Sequence, residues 1–239
     1  MLRKFELLMK PEIRINHTLP LLLHTATVIT GMIDAISYLA LHVFTANMTG
    51  NVVFLGFAVA GAPGLSITRS LTALVAFLIG ALIGGRAANG LSGLFTPSWL
   101  TTALSLESAL LLVATLAAVN FRDSSGSPFQ SYSIIVLTAV AMGIRNATVR
   151  KMAIPDLTTT VLTLTVTGLA ADSRFAGGTS PRWRRRLLAV LLMFFGALIG
   201  TLLLRRSLVL PLATATLLSI CCLAISIKQR VVLETRAAG

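Results

Sequence analysis

Three ionisable residues stand where water is scarce. Asp34, Glu107 and Arg145 each lie within a long apolar stretch of a 239-residue chain. A charge at membrane depth costs several kcal/mol unless it faces a cavity or a partner, so such residues are functional candidates by default. Asp34 falls in the middle of the first stretch, Glu107 eight residues into the third, and Arg145 near the end of the fourth. Two chemistries suit them. Asp34 can serve as a proton- or cation-coupling carboxylate, with Arg145 as its counter-charge or as an anion-binding group. Alternatively Arg145 forms a structural ion pair with Asp34 or with Glu107, which fixes how the helices register without taking part in transport.

Two polar motifs accompany them: Thr45-Ala-Asn47-Met-Thr49-Gly-Asn51 and Ile154-Pro-Asp-Leu-Thr158-Thr-Thr160. Each opens an apolar block, 49–61 and 158–171, that is too short to cross a bilayer, about 20 Å as a helix. A half-length helix with a polar N-terminus does not belong against lipid, because irregular backbone at membrane depth survives only inside protein or beside a water-filled cavity. Its free N–H groups and positive dipole end suit anionic or carbonyl groups, and Thr and Asn add neutral donors and acceptors. The same side chains can instead simply cap the half-helices. The candidate solute or ion path therefore comprises Asp34, Asn47, Thr49, Asn51, Arg145, Asn146, Thr158 and Thr160, with Glu107 secondary.

Other polar groups read more plainly. His24 and His42 near the ends of the first stretch suit interfacial anchors better than a proton relay. Cys221 and Cys222 are adjacent, hence about 100° apart on a helix, which makes a poor disulfide or zinc pair. Metal-dependent protease, serine-hydrolase and phosphate-loop motifs are absent, so no enzyme, cofactor or metal is expected. A paired-carboxylate intramembrane protease would need a second aspartate like Asp34.

The elements that must position these groups follow from composition. Hydrophobic residues make up 55% of the chain and charged ones 12%, half the share that a soluble domain carries. Mean hydropathy is +0.87. The chain is expected to be an all-α polytopic membrane protein. The net charge of +12 then reads as basic flanks facing anionic lipid and cytoplasm, not as a nucleic-acid surface. Six blocks have spanning length: 19–44, 68–88, 99–119, 131–150, 186–205 and 208–227. Arg3, Lys4, Lys10 and Arg14 precede the first, which reads as a retained signal anchor with a cytoplasmic segment over 1–18. Arg182-Trp-Arg-Arg-Arg186 reads as a cytoplasmic-interface anchor, and 228–239 as a cytoplasmic tail.

The chain also repeats itself. Gly80-Ala-Leu-Ile-Gly84 returns as Gly196-Ala-Leu-Ile-Gly200, offset by 116 residues. Gly31-Met-Ile-Asp34-Ala35 aligns with Gly143-Ile-Arg-Asn146-Ala147 at 112, and Met48-Thr-Gly-Asn51-Val52 with Leu157-Thr-Thr-Thr160-Val161 at 109. Two repeats are expected, 19–122 and 131–227, each with three spans and one half-helix. If the short blocks turn back, there are six spans and the repeats are inverted; if they cross, there are eight spans and the repeats are parallel. Block length favours six, and the distribution of Lys and Arg does not separate the two. The paired small residues Gly80/Gly84 and Gly196/Gly200 suit close helix packing.

The string Gly31-Met-Ile-Asp34-Ala35-Ile-Ser37-Tyr38, with Phe44-Thr-Ala-Asn47-Met-Thr49-Gly50-Asn51 after it, resembles the signature of the YoaK family of bacterial inner-membrane proteins, domain of unknown function 1275. Gly143, Asn146, Ala147 and the Thr-rich run from Thr158 to Thr167 extend the resemblance over nearly the whole chain. Arg145 departs from it, standing where an uncharged, Gln-like residue is expected. The resemblance implies a multi-span protein of the bacterial inner membrane and supplies no mechanism. Inverted repeats with half-length helices are a common design of secondary transporters. The expected function is thus a secondary transporter or channel for a small polar or ionic solute, with both termini cytoplasmic. The alternative is a membrane adaptor or assembly protein whose polar motifs are structural. The bilayer is the expected partner, nucleic acid is not, and self-association is left open.

Overall fold

The computed structural model describes residues 18–90, 97–119, 128–152, 162–180 and 182–238. Among these residues, eight α-helices follow in order: α1 Thr18–Leu41, α2 Met48–Val59, α3 Ile67–Gly90, α4 Pro97–Ala117, α5 Pro128–Met152, α6 Leu162–Ala171, α7 Trp183–Leu204 and α8 Val209–Ala238. Among the described residues, six are long and apolar enough to cross a bilayer, and α2 and α6 are not. Proline stands at the first position of α4 and of α5, where its missing N–H is not needed. α2 stops at Ala60, beyond which Gly61 and Gly64 take positive φ, and Pro63 between them lacks the N–H a helix would use. His42 ends α1 with φ of 57°.

Contacts between named residues fix how the helices run. Arg69 Nη1 donates to Leu41 O at 3.2 Å, so α3 begins where α1 ends. Leu19 and Leu23, near the start of α1, share one apolar cluster with Val149 and Met152, near the end of α5, so α1 and α5 are antiparallel. Thr68 bonds Tyr132 at 2.7 Å and Lys151 bonds Asn89 at 2.7 Å, which sets α3 parallel to α5. α4 and α8 are antiparallel, joined by Thr101–Ser226 and Ser108–Ser219. We call the face where α1 begins the lower face and the other the upper. α2 leaves and rejoins the upper face, and α6 the lower. Neither crosses, which gives six spans.

Glycine sets the closest approaches. A Cβ at Gly80 would collide with the Val140 carbonyl oxygen, and one at Gly84 would reach Ile144 Cα at 3.0 Å. A Cβ at Gly196 would collide with the Val28 carbonyl, and one at Gly200 would reach Met32 Cα at 3.0 Å. Val140 and Val28, and likewise Ile144 and Met32, are 112 residues apart. The α3–α5 contact is thus matched by the α1–α7 contact. α1 and α5 are the inner helices, with 56% and 61% of their spans buried, whereas α7 has 17% and shows Leu191, Phe194, Leu198 and Leu202 outward. These outward side chains are the lipid-contacting surface of a polytopic protein.

Candidate functional site

The charged centre of the molecule lies where α1, α4, α5 and α8 meet. Arg145, 4% exposed, is held by Glu107, 2% exposed. Its Nε donates to Glu107 Oε2 at 2.9 Å, and its Nη2 donates to Oε1. Nη1 donates to Ala26 O at 2.9 Å and to Thr30 Oγ1 at 3.3 Å, both on α1. The rigid guanidinium fork matches the carboxylate with two bonds. Ser219 Oγ on α8 donates to Glu107 Oε1 at 2.7 Å and meets Ser108 at 2.8 Å. Four helices thus share one neutralised pair. Between the pair and the lower face is a cavity of about 30 Å³, walled by Leu22 and Leu23 of α1, Ala103 and Leu104 of α4, and Val149 and Met152 of α5. That is room for a water or two.

Asp34 is in a different place. It is 7% exposed, and its Oδ1 accepts from Ala46 N at 3.1 Å. The N–H of Asn47 faces the same carboxylate. The loop from His42 to Asn47 therefore folds back along α1 to a point seven residues before its end, about 10 Å in from the helix terminus. α2 starts there, with its N-terminus on Asp34. A carboxylate is stabilised at the positive end of a helix, and here the protein supplies its own. Among the described residues, no cation lies within ion-pair distance of Asp34.

The polar motif around it is largely committed to holding its own shape. Asn51 is fully buried: its Oδ1 accepts from Phe44 N at 2.9 Å and its Nδ2 donates to Phe44 O. Asn47 is the N-cap of α2, facing Gly50 N at 3.5 Å, and both Asn47 and Thr49 are exposed. Tyr38, Phe44 and Phe54 stack with centroids 5.1 to 5.6 Å apart, clamping the loop between α1 and α2. Thr45 is buried, and its hydroxyl has no hydrogen-bond partner among the described residues. On α5, Asn146 is half-buried and donates to Met142 O at 2.9 Å. Thr158 and Thr160 lie outside the described residues.

The structure thus separates the candidates into two groups. Asp34, Asn47 and Asn51 meet at the upper half-helix, whereas Arg145 and Glu107 meet at the centre. Of the two pairings open in the sequence, Arg145 takes Glu107. His42 bonds Tyr38 O through Nδ1 at 3.3 Å, and His24 Nε2 is buried without a hydrogen-bond partner among the described residues. Cys221 is exposed and Cys222 buried, both unpaired.

Two features were missed from the sequence. Arg186 turns inward instead of anchoring at the interface. Its Nη1 donates to Gly168 O and to Asp172 Oδ2, each at 2.6 Å, and ties the end of α6 to α7. Secondly, hydroxyls line the α4–α8 seam: Thr101–Ser226 at 2.9 Å, Ser108–Ser219, and Thr115–Thr216 at 3.0 Å. The seven-residue spacing of Thr101, Ser108 and Thr115 puts them on one helix stripe and is visible in the sequence.

Comparison with known proteins gives a consistent placement. Residues 22–226 match the family described as "Protein of unknown function (DUF1275)". The chain is 37% identical over 158 residues to the UPF0700 transmembrane protein YoaK of Bacillus subtilis (strain 168), a match covering 66% of this chain and 66% of that one. No solved structure matches.

Proposed function

The chain belongs to the DUF1275 family, and we propose that it is a secondary transporter or channel for a small polar or ionic solute, built from two inverted repeats and not an enzyme. Asp34 is the observation that carries this reading. It is a carboxylate at membrane depth, at the N-terminus of a half-length helix, with no cation beside it among the described residues. Half-length helices in corresponding positions of antiparallel halves are the pattern in which transporters build their sites. α2 and α6 fit that pattern, joining α1 to α3 at the upper face and α5 to α7 at the lower. We assign the lower face to the cytoplasm of a bacterial inner membrane. Arg150, Lys151, Arg174, Arg184 and Lys228 lie at that end, against Arg69, Arg205 and Arg206 at the upper.

A second reading has its own support. Asn51 has donor and acceptor both committed to Phe44, and Arg145 is neutralised by Glu107, as in a protein whose polar groups only hold it together. Asp34→Asn separates the two. The amide oxygen still accepts from Ala46, so the protein should insert and melt within a few degrees of the parent. Purified protein in liposomes, offered a panel of ions and small polar solutes, should lose about ten-fold or more in flux on this change, as for other intramembrane carboxylates in transport. If the parent protein moves nothing and no solute raises its melting temperature, the adaptor reading replaces the transporter.

A further inference from the structure

The halves of the molecule agree in backbone packing and differ in what fills the space between them. Ile33 is the counterpart of Arg145, at the 112-residue offset that relates α1 to α5. α4 and α8 meet at Ser108–Ser219, so Glu107, one residue before Ser108, corresponds to Leu218, one before Ser219. The charged floor of the lower cavity is therefore matched, toward the upper face, by an isoleucine and a leucine. Leu22 and Leu23 of the cavity wall correspond to Ile134 and Ile135, and Leu104 corresponds to Ala215. Ile33, Ile134, Ile135 and Ala215 are buried in the main apolar cluster, with Leu218 packed against it. One side of the centre holds a cavity, and the equivalent residues on the other side pack in the main apolar cluster.

We infer that this is one of two states, with the solute path open below and sealed above, and that exchanging the packing of the two halves opens an equivalent cleft at the upper face, lined by Ile33, Ile134, Thr138, Ala215 and Leu218. The inference rests on the transporter reading and gives it a mechanism. Two antiparallel halves with the same contacts can exchange packings without a new set of backbone contacts. Each close glycine contact, α3 on α5 and α7 on α1, joins a helix of one repeat to a helix of the other, so the units that move are these cross-repeat pairs. The α4–α8 seam, where three hydroxyl pairs lie beside the buried Leu111 and Leu212, is where one unit slides on the other. The Glu107–Arg145 pair bears on which state is preferred. With its bonds to Ala26 and Thr30 it ties α4 and α5 to α1 below the centre, and the apolar Ile33 and Leu218 give no such tie above.

Thiol accessibility tests this directly. In full-length protein with Cys221→Ser and Cys222→Ser, Ala103→Cys reports the lower cavity and Ala215→Cys the upper cleft. Thr138→Cys is a second upper reporter in case Ala215→Cys does not fold. A membrane-impermeant maleimide should label Ala103→Cys only from the lower face. From the upper face it should label Ala215→Cys, more slowly by about ten-fold or more, as for a site exposed in a minor state of a few per cent. In an Ala103→Cys/Ala215→Cys double variant, a bulky adduct on residue 103 wedges the lower cavity open. Upper-face labelling of residue 215 should then fall about five-fold or more by population shift, while Ser66→Cys, in the loop before α3, keeps its rate. If residues 215 and 138 stay unreactive from the upper face in monodisperse protein, or react equally with the wedge in place, the two-state inference is overturned. Flux decides the transporter reading separately: transport with an inert upper reporter means a path that does not alternate.

Discussion

Arg145 of α5 grips Glu107 of α4 through Nε and Nη2, one edge of its guanidinium group, and leaves Asp34 to the backbone of the loop before α2. The two carboxylates therefore carry different burdens. Glu107 is matched by a full positive charge and a serine hydroxyl. Among the described residues, Asp34 is matched by peptide N–H groups alone. Removing a partner should expose the difference.

Glu107→Gln leaves the Arg145 guanidinium buried with a neutral acceptor, a loss of about 3–5 kcal/mol when a buried pair is broken. Replacing both, Glu107→Leu with Arg145→Ile, reproduces the apolar residues present at Leu218 and Ile33 and should recover most of that loss. Thermal unfolding of Glu107→Leu, of Arg145→Ile and of the double variant closes the cycle. Additive losses would mean that the pair contributes no coupling and that its geometry has another origin.

Asn51 holds its loop by both ends of its amide. Asn51→Leu keeps the volume and strands the N–H and C=O of Phe44, which should cost about 1–3 kcal/mol for each buried group left unpaired. The loop then loses its hold on Asp34 as well. Limited proteolysis between residues 42 and 48 should accelerate in the variant while α3 and α5 stay protected. Unchanged cleavage would show that the Tyr38–Phe44–Phe54 stack alone keeps the loop in place.

Much of this architecture was legible because hydropathy and length act locally. The six spanning blocks and the two short ones correspond to helices whose ends shift by a few residues, and the third begins at Pro97, two residues before the apolar block suggests. α8 continues past 227 to Ala238, since polar residues such as Lys228 and Gln229 are good helix formers beyond the apolar stretch. Partner choice was not legible. Asp34 and Glu107 are equally acidic in sequence, and only the packing of α4 on α5 puts Glu107 beside Arg145. Arg186 shows the same limit: within a basic run every arginine looks like an interface anchor, and the bare backbone at Gly168, where a Cβ would lie 2.8 Å from the guanidinium carbon, is what admits this one.

Six spans place Ser66 and Asn89, at the two ends of α3, on opposite faces. With Cys221 and Cys222 replaced by serine, an impermeant thiol reagent added to intact cells should label Ser66→Cys and spare Asn89→Cys, given the cytoplasmic assignment of the lower face. The reverse pattern means either that α2 crosses or that the protein is inserted upside down. A third cysteine at Thr18, at the start of α1, separates these: it shares the face of Asn89 if α2 turns back and the face of Ser66 if α2 crosses.

Glycine provides the sharpest contrast within one helix. Gly80 and Gly85 both lie on α3, yet a Cβ at Gly80 would collide with the Val140 backbone, whereas a Cβ at Gly85 would meet nothing within 4 Å. Helix propensity alone favours alanine over glycine by about 0.5–1 kcal/mol, so Gly85→Ala should hold or raise the melting temperature. Gly80→Ala must push α5 away from α3 along a backbone contact that no rotamer change relieves, a loss of about 1–3 kcal/mol by overpacking. Gly196→Ala meets the Val28 backbone in the same way and should cost a similar amount. Melting of the three variants in detergent gives the order. Equal losses at Gly80 and Gly196 with none at Gly85 mean that the two contacts bear the same load in the two halves; a loss at Gly80 alone would mean that α7 can shift on α1 where α3 cannot shift on α5.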